Sequence, residues 1–310
     1  MAMRNIIASA ILLFGFIPSI SQNYEKIVLD SQSDIGYYLA VLPRGEIEGV
    51  LVLLPGFGER AEDVLPETKL HNTAFNNNIL TLIVPFGAKI YADGPTITGI
   101  NRALEDSIKR FKVSKNKFVI GGFSAGGTIA LRYAEYCFEK PESFPVSPKA
   151  VFAIDSPVDI INLWNYFDRE KEKNFSAAGV NEANFIQPIM QKELGGTPMT
   201  NFQEYVKQSP FYAASHTLGN EQFLKNVAVR VYHDIDVTWQ LKNRRRSLFD
   251  NNALCSSELI NRLMLLGNEQ AEFVQSKNSG YRSNGMRHTH SWSIVDVVEF
   301  IQWMKEKLKG

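Results

Sequence analysis

The sequence predicts an α/β protein whose mostly parallel sheet is covered by helices on both faces. Two observations predict it. Short runs that are apolar throughout alternate with helix-like stretches along most of the chain, as buried parallel strands require. One of those runs, 118–120, leads through a glycine-rich turn straight into a helical pattern.

Taken in order, residues 26–29 and 35–42 read as early antiparallel strands joined by the polar turn Asp30 to Asp34. The apolar runs 50–54, 79–84, 118–120, 150–154 and 227–232 read as buried strands, and 272–274 is the last candidate. Helical patterns fall at 61–76, 96–111, 125–138 and 256–266. The final helix starts at Ser293 and Asp296 in a capping-box-like arrangement. Ile294, Val297, Val298, Ile301, Met304 and Leu308 form its expected core stripe. Residues 158–226 are too many for a plain crossover and are rich in aromatics from Trp164 to Tyr212. They are expected to form a helical cap inserted before the penultimate strand, over the site.

Composition narrows the function classes. The 310 residues are 45% hydrophobic, enough for a sizeable core. Lys plus Arg and Asp plus Glu both total 33, so no excess charge points to nucleic acid or an anionic membrane. Lys242, Arg244, Arg245 and Arg246 form one basic cluster, expected on a solvated helix face. At the N-terminus, Arg4, the apolar stretch 6–17 and Ser19-Ile20-Ser21 make a secretory signal over 1–21, cleaved before Gln22. That pattern predicts a secreted or periplasmic domain over 22–310, with no stable membrane insertion after cleavage. Cys137 and Cys255 are the two cysteines, and their pairing is left open. No metal-ligand spacing is present, and neither metal nor cofactor is expected.

The chemistry centres on Gly121-Gly122-Phe123-Ser124-Ala125-Gly126-Gly127. Gly-x-Ser-x-Gly between a strand and a helix is the pattern of a nucleophile elbow, where flanking glycines let the helix pack close to the strand. A phosphate loop is excluded because no Gly-Lys-Ser/Thr follows. A serine nucleophile needs a base and a group that orients the base. His288 and His290, between the last strand and the C-terminal helix, stand where chain order puts that base. Asp234 and Asp236 follow the penultimate strand, and Asp155 ends the strand before it. Ala125 N–H at the helix start is one oxyanion donor. The second is expected from the loop Pro55-Gly56-Phe57-Gly58, from Phe57 first and Gly58 second.

On these motifs, in this order from about Tyr24 to the C-terminus, the chain resembles the α/β-hydrolase superfamily. Within it the likeness is to secreted bacterial serine esterases and to prolyl-oligopeptidase-like hydrolases without a propeller. The resemblance implies a Ser-His-Asp triad that cleaves carboxylic esters of small acylated substrates through an acyl-enzyme. His290-Ser291-Trp292 looks like the His-x-Trp arrangement of many such esterases, which selects His290 and leaves His288 to shape the pocket or hold the loop. The superfamily's usual acid position selects Asp236, with Asp155 and Asp234 as alternatives. Two departures are Pro55, where the hormone-sensitive-lipase-like group carries the His of His-Gly-Gly-Gly, and Asp234 in place of a common glycine. Amide or peptide hydrolysis on the same triad and a catalytically silent binding protein are the alternative classes.

Overall fold

The computed structural model describes residues 23–309. The expected signal over 1–21 lies outside the described residues. Eight strands form one sheet: β1 (Tyr24–Val28), β2 (Tyr37–Val41), β3 (Gly49–Leu54), β4 (Ile79–Ile83), β5 (Phe118–Phe123), β6 (Ala150–Ile154), β7 (Ala228–Asp234) and β8 (Ala271–Ser276). Their order is β1-β2-β4-β3-β5-β6-β7-β8. β2 runs antiparallel to β1 and to β4, and every other pair is parallel.

The helices are α1 (Ala61–Glu67), α2 (Leu70–Phe75), α3 (Gly94–Phe111), α4 (Ala125–Glu139), α5 (Ile160–Lys173), α6 (Ala177–Glu193), α7 (Phe202–Gln208), α8 (Val237–Arg244), α9 (Ala253–Leu265) and α10 (Val297–Lys309). They cover both faces of the sheet, which is why β2 to β6 are buried along their whole length. In β3, Val50, Val52 and Leu54 pack into the core shared with α3, α4 and α9, whereas Leu51 and Leu53 pack into that of α1, α2 and α10. Among the described residues, no helix is long and apolar enough to cross a membrane.

Two details differ from the sequence expectation. The stretch 61–76 makes two helices, because Pro66 lies inside α1 and Thr68 leaves it in extended conformation at φ −139°. α10 begins at Val297, where Asp296 Oδ1 accepts from Val298 and Glu299 N–H at 3.0 and 3.1 Å. Ser293 instead binds the Tyr281 backbone N–H at 2.7 Å. Val298 therefore faces solvent, and Phe300 and Trp303 join Ile301, Met304 and Leu308 against the sheet. Cys137 and Cys255 are both buried free thiols.

Residues 158–226 contain α5, α6 and α7. Ile160, Phe167, Ala183, Ile186, Met190 and Tyr205 form a small core of their own with Ile90 and Tyr91 of the loop after β4. Lys89 reaches Glu193 of α6 at 2.6 Å, and Tyr91 Oη donates to the same carboxylate.

Candidate active site

A single residue turns the chain from β5 into α4. Ser124 has φ 54° and ψ −123°, a backbone conformation that costs a non-glycine residue roughly 1–3 kcal/mol. Its N–H donates to the Ile154 carbonyl of β6 at 2.9 Å, and Gly127 N–H returns to the Ser124 carbonyl at 3.1 Å. The turn needs bare backbone on either side. A Cβ on Gly126 would stand 2.2 Å from the Leu54 and Pro55 carbonyl oxygens, and one on Gly122 2.4 Å from Leu54 O.

β6 ends in a second left-handed residue, Asp155 at φ 42°. Its backbone is tied on both sides, N–H to Tyr232 O at 2.8 Å and carbonyl to Asn252 Nδ2 at 2.9 Å. Its carboxylate faces two imidazoles: Oδ2 lies 2.7 Å from His290 Nδ1 and Oδ1 2.9 Å from His233 Nδ1. Burial alone would raise the Asp155 carboxyl, but the hydrogen bonds from His233 and His290 outweigh it and hold the group well below the ordinary range. An ionised carboxylate only accepts, so both Nδ1 atoms carry protons, and it is the neutral form of His290 that has its lone pair on Nε2.

The acid expected at Asp236 is not the one the structure joins to His290. Asp236 caps α8, with Oδ1 accepting from Trp239 N–H at 2.9 Å and Oδ2 3.3 Å from Arg287 Nη2. Asp234 is still in β7, which runs two residues further than its apolar pattern. Its buried carboxylate accepts from the N–H groups of Asn278, Ser279 and Gly280 at 3.1, 3.2 and 2.9 Å, and from Arg287 at 2.8 Å. Both aspartates thus shape the loop between β8 and α10 that carries His290, while Asp155 reaches its ring.

His288 has the loop-holding place that the sequence suggested. Arg244 Nη1 is 3.0 Å from its Nε2 and must donate, so the ring proton sits on Nδ1, 2.9 Å from the His290 carbonyl. Burial, then the charges of His290, Arg244 and Arg282, push His288 down to about 3, so the ring is neutral. Trp292 is fully buried beneath the loop, and the Phe123 ring packs on His290 at 4.4 Å between centroids.

Ser124, Asp155 and His290 line one cavity of about 230 Å³. Leu163, Tyr166 and Phe167 of α5 also line it, so the segment expected as a cap borders Ser124. Arg244 and Arg246 line it too. This corrects the expected solvated basic face: Lys242 and Arg245 are exposed, but α8 ends at Arg244 and the following turn brings Arg246 inward. Ala125 opens α4, with its N–H in the unpaired first turn. In the loop after β3, Gly56 N–H donates to Glu59 at 2.7 Å and Gly58 N–H to Gly87 O at 3.1 Å. Phe57 N–H lies between them.

In the sequence His233 is only the residue after an apolar run, and Arg244 and Arg246 belong to a basic run with no sign of facing a site. His233 follows Tyr232, which pairs with Ile154 across β6 and β7, so His233 and Asp155 are neighbours at the sheet's end. Only the strand order reveals that.

No protein-family profile and no curated protein sequence matches the chain. Solved structures do. An esterase from Rhizomucor miehei superimposes with a TM-score of 0.59 at 14% identity, over 93% of this chain and 85% of its own. The chain has the α/β-hydrolase fold. Other proteins of that fold include carboxyl esterase 2 from Tuber melanosporum, with TM-score 0.59, 13% identity and coverage of 96% and 89%. Another is an acylaminoacyl peptidase from Pyrococcus horikoshii, with TM-score 0.58, 13% identity and coverage of 94% and 42%. Within the fold, Ser124 occupies the strand-to-helix turn after the sheet's central β5, and Asp155 the end of the adjacent β6.

Proposed function

We propose that the protein is a serine hydrolase that cleaves carboxylic esters through Ser124, His290 and Asp155. The observation that carries the reading is one cavity lined both by a serine on a strained strand-to-helix turn and by a histidine whose Nδ1 is bound to a buried carboxylate. Asp155 fixes the His290 tautomer so that Nε2 can take a proton. Ser124 Oγ attacks the ester carbonyl as His290 Nε2 accepts its proton. Ala125 N–H stabilises the oxyanion, with Phe57 N–H as the second donor because Gly56 and Gly58 are already engaged. His290 then protonates the departing alkoxide, water enters by the same route, and the acid leaves Ser124.

The esterases among the structural neighbours support ester chemistry, and the peptidase neighbour supports an amide alternative. That likeness covers less than half of the peptidase, which makes it the weaker support. Residues 158–226 act as the cap over the cavity. The N-terminal pattern carries the further proposal of export, which N-terminal sequencing of the protein from a secreting host would test.

The direct experiment is hydrolysis of a series of short acyl esters and matching amides by the wild type, Ser124→Ala and His290→Ala. The reading expects ester turnover that falls by about 10³-fold or more in each variant. Ordinary turnover by Ser124→Ala would refute it.

A further inference from the structure

The charges around the cavity do not cancel. Asp250 is matched by Arg169 at 2.8 Å and by Lys173, Arg246 by Glu170 at 3.0 Å, and Asp155 by its two histidines. Arg244 has no carboxylate partner among the described residues: Nη1 rests on the neutral His288, and Nε is buried with no acceptor. Arg246 Nε is also buried without an acceptor among the described residues. Arg282, a third lining arginine, lies with its guanidinium 5.3 Å from the Phe123 ring centroid and likewise meets no carboxylate among the described residues. Glu182 is the one other acid on the lining, and it is exposed on α6.

Buried N–H donors left without acceptors are costly unless something fills the site. Burial, and then repulsion from Arg246, lower the Arg244 guanidinium from its ordinary value, the physical signature of a cation short of a counter-ion. A guanidinium fork fits a carboxylate through two parallel hydrogen bonds. Building on the serine-hydrolase reading, we propose that the substrate is an ester carrying an ionised carboxylate, held by Arg244 with Arg246 and Arg282 beside it. The cavity is about 230 Å³, below the usual size of small-molecule sites. The carboxylate therefore lies only a few bonds from the ester carbonyl.

Two pairs of esters test this, one with the charge on the acyl side and one with it on the alcohol side. Monoethyl glutarate is compared with ethyl 5-methylhexanoate, and 4-acetoxybenzoate with 4-isopropylphenyl acetate; in each pair an isopropyl group replaces the carboxylate. In at least one pair kcat/KM should favour the anion by about tenfold to a hundredfold. That ratio should shrink towards one in Arg244→Gln and be partly kept in Arg244→Lys. Fluorophosphonate labelling of Ser124 reports on every variant whether the site is still assembled. Equal rates, or silence on both pairs, with Ser124 still labelled would overturn the anion site and leave the hydrolase reading standing. A folded wild type that neither labels nor turns over any ester would remove both.

Discussion

His290 and His233 are bound to opposite oxygens of one carboxylate, at 2.7 and 2.9 Å from Asp155. The second imidazole is fully buried and stacks on Phe273 at 5.2 Å, with its Nε2 lacking a partner among the described residues. In the proposed mechanism it acts through Asp155, as a positioning residue.

Asp155→Asn should lose about 10³–10⁴-fold in kcat, since an amide can present its N–H to His290 and favour the wrong tautomer. Asp236→Asn should keep most of the rate, because its carboxylate caps α8. Steady-state kinetics on both variants decides. Equal losses would contradict the assignment of Asp155.

His233→Phe preserves ring volume and the stack on Phe273 but removes one of the two hydrogen bonds that keep Asp155 ionised. The Asp155 carboxyl should rise, because burial then acts with less opposition. The acid limb of the kcat/KM profile should move to higher pH, with a smaller loss, about tenfold, near neutrality. A uniform loss at every pH would indicate a purely structural role.

Gly126→Ala should destabilise the fold by about 2 kcal/mol or more, because its Cβ would meet two backbone carbonyls at 2.2 Å. Chemical denaturation measures it. A variant as stable as wild type would mean that the turn has room the structure does not give it.

Stability should climb between about pH 4 and pH 6.5. Burial pushes His71 down to about 4 and, with neighbouring charges, His288 down to about 3. Between those values and the ordinary 6.5 the unfolded chain binds the extra proton, so unfolding becomes easier as pH falls. The slope is roughly 1 kcal/mol per pH unit for each ring. The lowered Asp155 carboxyl adds a further loss below about pH 4, where the unfolded chain protonates it first. Thermal melts from pH 4 to 8 should show a rising Tm that flattens above 6.5, and His71→Gln should reduce the slope.

The sheet and the elbow were legible in the sequence because both depend on local patterns. Strands apolar on both faces mark a covered parallel sheet, and Gly122 and Gly126 are required by backbone carbonyls within 2.4 Å. Chain order narrowed the base to His288 and His290, and the likeness of His290-Ser291-Trp292 to a His-x-Trp arrangement pointed to His290, the ring bound to Asp155. The acid was not legible. Asp155, Asp234 and Asp236 all follow apolar runs, and only the left-handed turn at Asp155 and the adjacency of β6 and β7 decide which carboxylate reaches the ring. Arg244 and Arg246 were hidden for a similar reason: a basic run looks solvated until the end of α8 directs two of its members into the cavity.

The central claim is an activated Ser124. Treating the folded protein with a fluorophosphonate and mapping the adduct by mass spectrometry tests it most directly. A single adduct should form on Ser124, absent from Ser124→Ala and formed far more slowly in His290→Ala. A folded protein with no adduct, or with its adduct on another residue, would contradict it.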